Sequence, residues 1–144
     1  MKYLLLVSHG GFSEGLKSTL SMFAGDAIDS VIAVGLKKDE SADDFGKRFT
    51  ELLKKYPDDS EFIVLADIIG GSPLTTVCNI LNAEGKLTNS MVLGGMNFPM
   101  ALTTLMSKDS MDIPSLKKAV LSEASSAMKE FKIQSDDSSD DDEI

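Results

Sequence analysis

Residues 3–11 read Tyr3-Leu4-Leu5-Leu6-Val7-Ser8-His9-Gly10-Gly11, an apolar run closed by a histidine and two glycines. A short continuous apolar run bounded by a turn signal is the pattern of a strand buried on both faces. The glycines turn the chain, and Phe12, Leu16, Leu20 and Phe23 then fall at helical spacing. Strand, tight turn and helix N-terminus form the junction at which doubly wound folds hold anions, because the first helical N–H groups have no intrahelical acceptor. His9 stands inside that junction and is the only histidine among 144 residues. A histidine that merely ends a strand and bonds nearby backbone is the plainer explanation. A second stretch weighs against it: Asp67-Ile68-Ile69-Gly70-Gly71-Ser72-Pro73 repeats the same strand-to-helix grammar and supplies a carboxylate.

Outward from these two junctions, strands and helices alternate. The first strand is expected at about Lys2 to Ser8, the second at Ser30 to Gly35, the third at Glu61 to Asp67 and the fourth at Ser90 to Leu93. Ser41 and Asp44 resemble a capping box, and Phe45, Phe49, Leu52, Leu53 and Tyr56 give the following helix its core face until Pro57 stops it. Ser72 as N-cap with Pro73 next opens a helix whose inner stripe is Leu74, Val77, Cys78 and Leu81. Asn97-Phe98-Pro99 opens another that runs to about Lys108. The last begins near Asp112-Ile113-Pro114 and carries Leu116, Val120, Ala124, Ala127 and Phe131. Phe131 to Gln134 is a candidate closing strand. The alternation predicts an α/β fold, a three-layer sandwich with a mostly parallel central sheet. Its site belongs outside the carboxyl ends of the strands, where His9, Gly35, Asp67 and Gly94 all fall.

Composition bounds the function. The length suits one domain, taken as residues 1–134, and no apolar stretch approaches the roughly 20 residues that span a bilayer. The expected location is the cytoplasm, in keeping with a lone cysteine, Cys78, on the apolar side of its helix. Six acids lie in the last ten residues; without them the net charge of −9 falls to −3. The stretch 135–144 is therefore read as a disordered acidic tail. No basic patch suggests nucleic acid, and no ligand cluster suggests a metal.

The rim residues fit phosphoryl transfer through a histidine. A neutral imidazole offers a lone pair near pH 7, provided an acceptor holds the proton on its other nitrogen. Asp67 is the candidate acceptor. Gly10, Gly11, Gly70 and Gly71 would present backbone N–H groups to phosphoryl oxygens, with Ser72 adding a hydroxyl. No cofactor or metal is required. Asp67 favours a protonated ring while the helix termini favour a neutral one. Repulsion between Asp67 and a bound phosphoryl group suits a carrier, which must release what it takes up.

Ser8-His9-Gly10, the Asp67–Pro73 stretch and Gly94-Gly95-Met96-Asn97-Phe98-Pro99-Met100, in this order, resemble the IIA component of the mannose family of the bacterial phosphoenolpyruvate-dependent sugar phosphotransferase system. The resemblance spans Met1 to about Gln134. It implies a flavodoxin-like fold and a cytoplasmic homodimer whose C-terminal strands are exchanged between subunits. It also implies that His9 accepts a phosphoryl group from HPr, that Asp67 orients it, and that a IIB protein takes the group onward. The sugar is then phosphorylated as it enters through membrane IIC and IID components. Ile68 and Ile69 stand where some members carry polar or aromatic residues, and the IIB partner is expected to be a separate chain. The alternative within the resemblance is the phosphoryl-donor subunit of a phosphotransferase-dependent dihydroxyacetone kinase. A histidine phosphatase would need an arginine before the histidine and a second histidine. A receiver would need an acidic pair after the first strand, and a flavin site would show aromatics on its loops.

Overall fold

Strand β1 (Lys2–His9) buries Tyr3 through Ser8 without interruption, as its apolar run requires, and so takes the middle of the sheet. In the computed structural model, which describes residues 1–134, it is flanked in parallel by β2 (Val31–Leu36) and β3 (Glu61–Ala66). The acidic stretch 135–144 lies outside the described residues. A two-residue β4 (Val92–Leu93) pairs with β3, and the sheet order is β2-β1-β3-β4.

Alternate side chains feed two layers. Leu4 and Leu6 of β1 with Ile63 and Leu65 of β3 face α1 (Phe12–Leu20), α4 (Phe98–Ser107) and α5 (Ile113–Ser126). Leu5, Val7, Ile32, Val34 and Val64 face α2 (Ala42–Leu53) and α3 (Ser72–Ala83). The expected α/β sandwich is thus present, with every strand pair parallel. From β1 the chain moves to one side for β2 and to the other for β3. The crevice of a doubly wound sheet therefore opens between the carboxyl ends of β1 and β3.

Several local expectations need correction. The buried face of α1 is Ser13, Leu16 and Leu20, not the Phe12 and Phe23 face. Ser8 Oγ accepts the Ser13 N–H at 2.8 Å, which turns the serine inward and leaves both phenylalanines exposed. Phe23 instead rests on Phe98, ring centroids 5.0 Å apart. The N-cap of α3 is Gly71; Ser72 is already helical, and its side chain makes no cap bond. The fourth strand is Val92–Leu93, shorter than the expected Ser90–Leu93, and ahead of it the Ser90 hydroxyl donates to the Phe62 carbonyl. A 3₁₀ helix over Gly25–Ser30 had no periodicity to reveal it. The closing strand expected at Phe131 to Gln134 is not among the strands of the described residues, and Phe131 and Ile133 are 87% and 89% exposed. Among the described residues, no helix is long and apolar enough to cross a membrane.

Candidate functional site

His9 is the last residue of β1, and Asp67 follows the last residue of β3. The two strands run side by side in parallel, with Val7 opposite Ala66, so their ends deliver both side chains to one crevice. The imidazole Nδ1 lies 2.9 Å from Asp67 Oδ2, and the same oxygen accepts the His9 backbone N–H at 2.9 Å. Oδ1 accepts the Ile68 N–H at 2.8 Å. One carboxylate thus ties the strand end, the ring and its own loop together. Burial works to raise the Asp67 pKa. The bonds from the His9 amide, the His9 ring and the Ile68 amide outweigh it and hold the carboxyl below its ordinary range.

An ionised carboxylate is acceptor-only, so Nδ1 of the neutral ring carries the proton and Nε2 keeps the lone pair. Among the described residues no hydrogen bond reaches Nε2. The His9 side chain is 48% exposed, so this nitrogen can be approached from outside.

Backbone comes close to one edge of the ring because a glycine lets it. A Cβ on Gly71 would stand 2.8 Å from His9 Cε1 and 3.3 Å from Nε2; any side chain there would displace the ring. Gly10 and Gly70 turn the chain at φ +56° and +92°, a region closed to most side chains. Gly10 N–H donates to the Leu36 carbonyl at 2.8 Å, which seats the turn on the end of β2. The N–H groups of Gly11, Phe12, Gly70, Gly71 and Ser72 have no acceptor among the described residues. Two helix N-termini, each with its partial positive charge, thereby follow the strand ends that carry His9 and Asp67, and Gly71, the N-cap of α3, lies against the ring.

Every site residue expected from the sequence lies at this rim: His9, Asp67, Gly10, Gly11, Gly70, Gly71 and Ser72. Ser72 is exposed, and its hydroxyl has no partner among the described residues. Three supports went unread. Ser8 and Ser13 are fully buried beneath the histidine, where Ser13 Oγ donates to the Val34 carbonyl at 2.8 Å. Gly94 yields its side-chain space to Ile69, whose Cγ1 would be 2.3 Å from a Cβ there. Arg48 reaches the Gly35 carbonyl at 2.7 Å. The serines carry no periodic signal, and the other two contacts join residues distant in sequence. Among the described residues, no group of three His, Cys, Asp or Glu side chains is placed to hold a metal ion. Hollows of about 240 and 310 Å³ lie elsewhere, at the opposite end of β3 and beside α2.

Residues 3–121 match the family described as PTS system fructose IIA component. The chain belongs to that family. The PTS system fructose-specific EIIA component of Bacillus subtilis (strain 168) is 26% identical over 102 residues, covering 71% of this chain and 67% of the relative. Among solved structures, the PTS IIA protein associated with the fucose utilization operon of Streptococcus pneumoniae is 28% identical, with a TM-score of 0.72 over 90% of this chain and 92% of that one. The mannose/sorbose specific IIA subunit of Enterococcus faecalis shares the fold, with a TM-score of 0.77 at 21% identity, covering 94% and 98% of the two chains. This IIA component is a protein of the phosphotransferase system, with His9, Asp67 and both glycine turns inside the matched residues.

Proposed function

We propose that His9 is the phosphoryl carrier of this IIA component, taking the group from phosphorylated HPr and passing it to a IIB protein. The observation that carries this is the one-sided imidazole. Nδ1 is held by Asp67, while Nε2 has no partner among the described residues and lies against Gly71. In the transfer, the Nε2 lone pair forms a bond to phosphorus as the phosphorus–nitrogen bond of the donor phosphohistidine breaks. The donor imidazole leaves with that electron pair. The phosphoryl oxygens are received by the free N–H groups of Gly11, Phe12, Gly70, Gly71 and Ser72, joined by the Ser72 hydroxyl. Positive charge developing on the His9 ring is stabilised by Asp67, which keeps the proton on Nδ1. The onward step is the same reaction reversed in direction, with a nucleophile of IIB as acceptor. The open rim fits a macromolecular partner better than an enclosed small substrate. Sugar phosphotransferase relatives favour sugar uptake, through membrane components on the cytoplasmic side, over dihydroxyacetone phosphorylation.

The functional unit we propose is a homodimer of the 1–134 domain. β4 is a two-residue edge strand, and its own Val92 is exposed. A sheet edge invites a strand from another chain, and Phe131 to Gln134, with Phe131 and Ile133 exposed, is the segment able to supply one.

Nitrogen-15 NMR of the imidazole tests the chemistry. After reaction with phosphorylated HPr, Nε2 should show coupling to phosphorus and Nδ1 should remain protonated. Phosphorus on Nδ1 would contradict the assignment of roles.

A further inference from the structure

The Gly10 turn rests on the end of β2, and that end is held from outside by an ion pair. Arg48, on α2, donates through Nη2 to the Gly35 carbonyl at 2.7 Å. Its Nε and Nη2 also reach Glu40 Oε2 and Oε1, at 2.9 and 2.7 Å. Glu40 Oε1 in turn accepts the Lys37 N–H at 3.0 Å. The guanidinium lies 5.3 Å from the Phe45 ring centroid, so its plane is fixed by packing as well as by hydrogen bonds. Gly35 stands opposite Ser8, and Leu36 opposite His9, in the parallel register. A Cβ on Gly35 would fall 2.0 Å from the Gly10 carbonyl oxygen. The contacts therefore run unbroken: Glu40 to Arg48, Arg48 to Gly35, and Gly35–Leu36 to Gly10.

We infer that Arg48, braced by Glu40, is a positioning residue for phosphoryl transfer: through Gly35 and Leu36 it sets the Gly10–Gly11 turn that follows His9 and, with it, the free N–H groups of Gly11 and Phe12. This rests on the function proposed above. A surface ion pair alone contributes little to stability. This one is bidentate and ends on a backbone carbonyl of the strand that seats the turn. Its effect belongs in the rate, because donors displaced by about 1 Å lose much of their hold on a transferring group.

Transfer from phosphorylated HPr, followed as a single turnover so that kcat and KM denote the limiting rate and the half-saturating HPr concentration, tests it in the full chain beside amide NMR spectra. Arg48→Met keeps the apolar stem over Phe45 and removes the fork. Its kcat should fall roughly tenfold with KM within about twofold of wild type, and the Gly10 and Gly11 amide signals should move. Arg48→Lys restores one donor and should recover part of the kcat. Glu40→Gln should show the same loss in milder form, and it carries the test if Arg48→Met fails to fold. A kcat within about twofold of wild type in a folded variant would overturn the inference, whether or not the amide signals move. A loss confined to KM would overturn it too, making Arg48 part of a docking surface. If wild-type protein takes no phosphoryl group, the carrier reading fails separately. Unmoved Gly10 and Gly11 signals in Arg48→Met would then still refute the brace.

Discussion

At Gly35 the space a side chain would fill belongs to the Gly10 carbonyl. The neighbour that must yield is backbone, so Gly35→Ala should cost about 1–3 kcal/mol and move the turn beside His9. Urea denaturation with amide spectra checks both; an alanine variant as stable as wild type with an unmoved Gly10 signal would contradict this packing. Asp67 is tested by pH. Its folded pKa is lowered, so its contribution is fully present above the ordinary carboxylate range and lost as pH falls below that range through the lowered folded value. The stability gap between wild type and Asp67→Asn should therefore narrow once pH drops below about 4, and a gap constant down to pH 2 would contradict the pairing. Glu40 behaves likewise. Its pKa is lowered from 4.5 to about 2, chiefly by the Arg48 hydrogen bond, so the brace on Gly35 should persist in mild acid and loosen only towards pH 2.

Among the elements, Asn97 joins two helices. Its Oδ1 caps α4 by accepting the Met100 N–H at 2.9 Å, and its Nδ2 donates to the Ala124 carbonyl of α5 at 3.1 Å. Asn97→Ala should destabilise by about 1–2 kcal/mol and lower Tm by several degrees, whereas an unchanged thermal melt would deny the cap its role. The caps at Ser41, Asn97 and Asp112 were legible because each is a local signal, a polar residue bonding an N–H three positions on. The same locality made β1, β3 and the rim glycines readable. What escaped the sequence depends on tertiary company. The inward turn of α1 follows from a buried Ser8–Ser13 bond, and the Ser90 hydroxyl ahead of β4 reaches the Phe62 carbonyl, 28 residues away. The meeting of His9 and Asp67 was inferable from their places at strand ends. That Gly71 yields its side-chain space to the imidazole was not.

For the whole molecule, the parallel order β2-β1-β3-β4 gathers the unusual residues at one end and leaves a short edge at β4. If Phe131 and Ile133 cover the partner's edge, Phe131→Asp with Ile133→Asp should convert a dimer to a monomer in light scattering at micromolar concentration. A wild-type monomer, or a dimer indifferent to both substitutions, would remove strand exchange. The fold brings the proposed carrier, His9, and Asp67 to neighbouring strand ends, and the most direct measurement is where the phosphoryl group goes. Incubated with phosphorylated HPr, wild-type protein should acquire an acid-labile label that peptide mapping places on His9. Asp67→Asn should label more slowly, by as much as about 10⁴-fold if the aspartate acts as in a hydrolase triad, and His9→Ala should not label at all. A label that persists in folded His9→Ala protein, or one that maps to another residue, would contradict the account.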